Sequence, residues 1–149
     1  MENKHVKILF LYPNLHMSTL IPNGIAILSA VLKQNGFKNI QLFDPTFYQS
    51  PEKTRAMKKE KSRYEAREKM GQVRAFDYGD RGIELKKSDM FSDFVVKVDS
   101  FKPDIIVASI LEDTWPIFLK FMDLIKDKKI KCLAGGVFPS SVPEKVLEE

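Results

Sequence analysis

Apolar residues fall along this chain in short blocks of two kinds. Val6 to Tyr12 (VKILFLY) is a nearly continuous run, the pattern of a strand covered on both faces. A loop from Pro13 to Pro22 follows, and Asn23 is placed to cap a helix carrying Ile25, Leu28, Val31 and Leu32, closed by Gly36. Ile40 to Phe43 reads as a second strand, ended by Asp44-Pro45. Farther on, Ser88 is the expected cap of a helix with Phe91, Phe94, Val95, Val98 and Phe101 on one face, and Pro103 lies just past its end. Asp104 to Ile110 (DIIVASI) is a third strand. Thr114 is the expected cap of a third helix, with Trp115, Phe118, Leu119, Met122 and Ile125 as its apolar face. Lys131 to Ala134 is a fourth strand, ended by Gly135-Gly136, and Pro143 to Glu149 begins another helix. Strands alternating with helices predict parallel βαβ units: an α/β sheet with helices on both faces. A four-strand sheet is small, and the last helix leads to no strand, so the chain is expected to be a fragment of a longer protein.

Composition narrows the class. With 44% hydrophobic and 11% aromatic residues in 149, the chain can bury a core as one domain. A single cysteine, Cys132, excludes a disulfide framework; it is expected to be buried in its strand, and no Cys/His cluster suggests structural zinc. The apolar run near the start is too short for a membrane span, which points to a soluble, cytoplasmic protein.

The net charge of +4 is unevenly distributed. Residues 50–87 hold 12 basic and 7 acidic side chains, whereas the rest holds 12 basic and 13 acidic. The basic excess is thus confined to one insert after the second strand. Thr54 to Met70 has helical propensity, a thin stripe of Met57, Tyr64 and Met70, and acid–base pairs four apart such as Glu65 with Lys69. Interleaved acids and few aromatics argue against a nucleic-acid surface. The expectation is a solvated insert leaning over the sheet edge.

In parallel sheets, ligands bind beyond the carboxyl ends of the strands. The loop after the first strand has neither G-x-G-x-x-G nor G-x-x-x-x-G-K-[ST], so dinucleotides and ATP fit poorly. A receiver's acid pair is replaced by Asn14 and Ser109. With His5 and His16 the only histidines and no G-x-S-x-G elbow, no hydrolase site can be assembled.

Three features do share the binding edge: Asn14-Leu15-His16-Met17-Ser18-Thr19, Ser109-Ile110-Leu111, and Gly135-Gly136. Together they resemble cobalamin-binding domains, whose pattern is D-x-H-x-x-G, then S-x-L, then G-G. Ser109, Leu111, Gly135 and Gly136 match; Asn14 replaces the aspartate and Thr19 the glycine. Segments Lys7–Asn14, Ile21–Lys33, Phe101–Ser109 and Leu133–Leu147 (LAGGVFPSSVPEKVL) are similar to the N-terminal domain of cobalamin-dependent radical S-adenosylmethionine enzymes.

The resemblance implies a flavodoxin-like (Rossmann-like) domain over residues 1–149, holding cobalamin at the carboxyl edge of the sheet. Ser109 would face the dimethylbenzimidazole tail, and Gly135 and Gly136 would leave room for its nucleotide. His16 stands where the family's cobalt ligand stands; it is a candidate metal ligand, a cover for the lower corrin face, or an ordinary loop histidine. Asn14, Met17 and Ser18 accompany it. Glu112 and Asp113 are candidates for hydrogen bonds to corrin amides, beside Leu111 and Thr114, and Val137 and Phe138 either flank the tail or belong to the core. The missing partner would be a C-terminal radical S-adenosylmethionine domain carrying a 4Fe-4S iron–sulfur cluster and S-adenosylmethionine, since no C-x-x-x-C-x-x-C occurs here. The fragment itself has no evident catalytic residues. Two other readings stay open: a cobalamin-free scaffold or docking domain of the same fold, or a binder of another small ligand such as a flavin, with Ser18 and Thr19 on its phosphate.

Overall fold

The structure is a computed structural model that describes residues 5–14, 22–52, 65–72, 79 and 82–148. Its centre is a parallel sheet of β1 (Lys7–Leu11), β2 (Asn39–Phe43), β3 (Ile105–Ser109) and β4 (Lys131–Gly135), in the order β2-β1-β3-β4. Helices α1 (Asn23–Gln34), α2 (Met90–Phe101) and α3 (Trp115–Asp123) connect the strands; two short helices, α4 (Val137–Ser141) and α5 (Pro143–Glu148), follow β4. The expected α/β class is thus observed, and the sheet order is what right-handed crossovers produce when the chain reverses direction after β2.

The continuous run of β1 is explained by its central place. Leu9 and Leu11 face α2 and α3 in the larger core, with Ile106, Ala108 and Phe43 from the neighbouring strands. Ile8 and Phe10 face the other way, against Ile25 of α1. The larger core is aromatic: Phe94 lies 5.2 Å from Phe43 and 4.9 Å from Phe121, and Trp115 stacks on Phe118 at 5.3 Å. Phe121 and Ile117 are buried members of the α3 face that the periodicity left out.

Two expected caps are moved by one residue, and the third, Thr114, keeps the cap position without the cap bond. Asn23 is already the first helical residue, so the cap position of α1 falls on Pro22, whose carbonyl accepts from Ala26 N at 2.9 Å. At α2, Asp89 and not Ser88 caps, its carboxylate accepting from Ser92 N at 2.8 Å. An ionised carboxylate is the better acceptor for a helix N-terminus. Thr114 makes no cap bond to α3, because its hydroxyl closes the preceding turn onto Leu111. Gly36 holds φ +88° after α1, as expected of a residue beyond a helix end.

Cys132 departs from expectation as well. β4 is an edge strand, and Lys131, Cys132 and Leu133 are exposed. The strand is short and apolar, but nothing among the described residues pairs with its outer side. Partial desolvation still pushes the Cys132 thiol up to about 11, so it stays protonated and unreactive near neutral pH.

Most of the expected charged helix, 54–64, lies outside the described residues; residues 65–69 are helical and exposed. Residues 47–49 are clasped to residue 86. Gln49 N donates to Lys86 O at 2.8 Å, and Lys86 N donates to Phe47 O at 2.7 Å. Asp93, in the first turn of α2, gathers three donors: Tyr48 Oη at 2.9 Å, Ser88 Oγ at 2.8 Å and Lys86 Nζ at 2.6 Å. These donors, Lys86 first, hold the Asp93 carboxyl down at about 2, below its ordinary 3.8.

A carboxyl depressed in the folded state stabilises the fold above its unfolded pKa, and that contribution disappears as pH falls through the folded pKa. Acid unfolding of the wild type should therefore steepen between 3.8 and about 2 relative to Asp93→Asn. Urea midpoints measured across that window check it; parallel curves for the two proteins would show that the clasp is not formed in solution.

Candidate functional site

The carboxyl ends of the four strands bring together part of the expected constellation. Ser109 ends β3 and is paired in register with Gly135 at the end of β4. Both continue the alternation of Ile105, Val107 and Leu133, so they belong to the sheet face that carries α1. Helix α1 covers only part of this face. Its Ala26, Ser29 and Lys33 flank borders a shallow cavity of about 230 Å3 with Ile40 and Leu42 of β2. By helical rotation the opposite flank, Gly24, Leu28 and Val31, looks toward β3 and β4. There Leu28 is 52% exposed, Val31 49% and Leu133 57%. Ser109 and Gly135 thus stand at the head of an open apolar strip.

The two glycines differ. A Cβ on Gly135 would meet only Ala108 O, at 3.6 Å, an ordinary contact. A Cβ on Gly136 would lie 2.6 Å from Ile110 O and 2.7 Å from Ile110 N, and its φ is +105°. Gly136 is therefore demanded by the fold, where the turn after β4 crosses the turn after β3. Gly135 is not: among the described residues, nothing else would touch a Cβ placed there.

Asn14 is 4% exposed and links two strand ends. Its Nδ2 donates to Thr46 Oγ1 at 2.9 Å, while the Thr46 hydroxyl donates to Asp44 Oδ1. Asp44 Oδ1 also accepts Thr46 N at 2.9 Å, starting the short helix Pro45–Phe47. The Thr46 proton is committed to Asp44, so the partner at position 14 must be a donor. An amide meets that need and a carboxylate does not. Asp44 and Thr46 were not among the expected site residues; the signal was the Asp-Pro-Thr sequence, a capping pattern directly after a strand.

His16, Met17, Ser18 and Thr19 lie outside the described residues, so the structure gives no geometry for a cobalt ligand or phosphate contacts there. Among the described residues, no group of three or more His, Cys, Asp or Glu side chains could hold a metal.

The turn after β3 is built by Thr114, whose Oγ1 accepts from Leu111 N at 3.0 Å and donates to Leu111 O at 3.1 Å. This double tie leaves Leu111, Glu112 and Asp113 exposed around the edge. Phe138 is buried against Trp115 at 5.6 Å and belongs to the core, whereas Val137 is 68% exposed beside Gly136. Of the pair offered as flanking residues, Val137 alone faces solvent.

No helix among the described residues is long and apolar enough to cross a membrane. No family model matches the chain, and neither a curated protein nor a solved structure matches it.

Proposed function

We propose that this flavodoxin-like domain is the cobalamin-binding module of a cytoplasmic radical S-adenosylmethionine enzyme. The observation that carries the reading is the pairing of Ser109 with Gly135 at the head of an open strip, where no described residue crowds the glycine. Ser109 would meet the dimethylbenzimidazole tail, and the bare Cα of Gly135 would admit its nucleotide. Exposed Leu111, Glu112, Asp113 and Val137 would border the corrin, the two acids accepting from its amide side chains. Bound cobalamin would carry a methyl group or support a radical step for a C-terminal domain holding a 4Fe-4S cluster and S-adenosylmethionine. This chain's own share is binding and orientation. The basic insert would lean over the same edge or against that domain.

The test is retention. Hydroxocobalamin is added to the purified protein, free cofactor is removed by gel filtration, and the visible spectrum is recorded. Wild-type protein should keep corrin absorbance. Gly135→Ala should fold as the wild type does by circular dichroism, yet bind about tenfold more weakly. Absence of corrin absorbance on folded wild-type protein would overturn the proposal. A spectral shift lost in His16→Ala would assign cobalt ligation to that residue.

A second reading, a cobalamin-free scaffold of the same fold, has a specific observation behind it. Two residues of the motif, Asn14 and Gly136, are already accounted for by strand-end packing. Retained corrin that is indifferent to position 135 would favour neither role for the strip and would move the site elsewhere on the edge.

A further inference from the structure

The opposite edge of the sheet carries a feature that cobalamin binding does not use. Lys7 pairs with Asn39, and Ile105 with Lys131, so the strands begin nearly level. Lys38 precedes β2, Lys102 precedes β3, and Lys129 and Lys131 flank the start of β4. Four strands side by side spread these ammonium groups over roughly 15 Å.

Two of the four lysines hold a conformation that lysine disfavours. Lys102 and Lys129 both have φ +52°, and they are the non-glycine residues with positive φ among those described. Glycine is the ordinary residue at such a helix exit, and a side chain there strains the backbone. A cation at a helix C-terminus recovers only part of that cost at the surface. That helps Lys102, which ends the twelve-residue α2. It helps Lys129 less, because a single turn, Lys126–Lys128, precedes it. At two separate exits on one edge, a charged side chain stands where backbone stability favours glycine.

The same edge shows which charges are uncommitted. Lys126 pairs with Asp123 at 2.8 Å, Lys128 pairs with Asp99, and Asp104 accepts Lys7 N at 2.8 Å. Lys38, Lys102, Lys129 and Lys131 make no ion pair among the described residues.

We propose that this amino-terminal edge docks an acidic segment of another polypeptide, whose carboxylates engage Lys102 and Lys129, flanked by Lys38 and Lys131. The chemistry favours a protein partner over nucleic acid. Among the described residues the edge has no arginine to grip phosphates bidentately, and His5 is its one exposed aromatic ring. Asp104 and Asp127 interrupt the row, which a continuous phosphate backbone would meet with repulsion and a mixed protein surface can accommodate.

The strain makes the test specific. Lys102→Gly with Lys129→Gly should raise the melting temperature, because each removes an unfavourable conformation, while weakening binding of a fluorescent oligoglutamate peptide about tenfold. Adding Lys38→Gln and Lys131→Gln should abolish that binding. Neutralising the insert at Lys58, Lys59 and Lys61 with glutamine should leave it within about twofold, and added salt should weaken wild-type binding. The proposal is overturned if the glycine variants bind as the wild type does, if the insert variant loses the binding instead, or if the melting temperature falls. It is equally overturned if polyuridine RNA or phosphatidylglycerol vesicles compete through the same four lysines more strongly than oligoglutamate.

Discussion

Phe94→Ala should destabilise the protein by about 3–5 kcal/mol, the range for deleting a buried ring. Phe94 is fully buried at the centre of the aromatic cluster, in edge contact with Phe43 at 5.2 Å and Phe121 at 4.9 Å. These rings come from β2, α2 and α3, so a cavity there loosens both helices from the sheet at once. Total stability of a small domain is about 5–15 kcal/mol, so the loss is about a fifth of it or more. Val96, two residues along the same helix, is 65% exposed, and Val96→Ala should change stability by no more than about 0.5 kcal/mol. Urea unfolding of the two variants checks the contrast. Equal midpoints would mean that α2 does not present Phe94 to the sheet.

That face of α2 was legible because helical periodicity repeats over twelve residues, and one residue's error at the cap does not move it. Cap chemistry is less redundant. Ser88 and Asp89 are adjacent, both are good caps, and the choice turns on which one's backbone stays extended; Asp89 has ψ 120° and takes the role. Ser88 turns instead to Asp93, a bond that ties the segment before α2 to its first turn. Position within the sheet was similarly hidden. The apolar residues of β1 and β4 look alike in sequence, yet one strand is central and the other is an edge. The misplacement of Cys132 follows from that, since alternation assigns faces and says nothing of which strand ends the row.

The candidate site was legible as an edge and only partly as a set of roles. Strand ends locate it, because every strand is parallel and the loops after them converge. Roles depend on contacts between loops far apart in sequence. Asn14 looked like a weakened cofactor residue until Thr46, 32 positions away, supplied the reason for an amide. Thr114 looked like a helix cap and proves to lock the turn that exposes Leu111.

Gly136→Ala should cost on the order of 3 kcal/mol or more, because two penalties coincide. At φ +105° an L side chain is strained, and its Cβ would press on backbone atoms of Ile110 at 2.6 and 2.7 Å. Ile110 cannot easily give way. It is fully buried, its N donates to Gly135 O at 2.8 Å, and its carbonyl accepts Phe138 N at 3.4 Å. Moving it would open the joint between the ends of β3 and β4. Gly135→Ala, one residue earlier, meets no such obstacle; a strand residue gaining a methyl should leave stability unchanged or raise it by about 0.5–1 kcal/mol. Thermal melts of the two variants should therefore separate widely, with Gly136→Ala far below the wild type and Gly135→Ala at or above it. The contrast bears on function, because the variants cannot be used alike. Lost cofactor retention in Gly136→Ala would report a damaged fold, whereas the same loss in a stable Gly135→Ala would report occupied space above the strand. If Gly136→Ala melts like the wild type, the turn after β4 does not cross Ile110 as described, and the strip beside Ser109 loses its head.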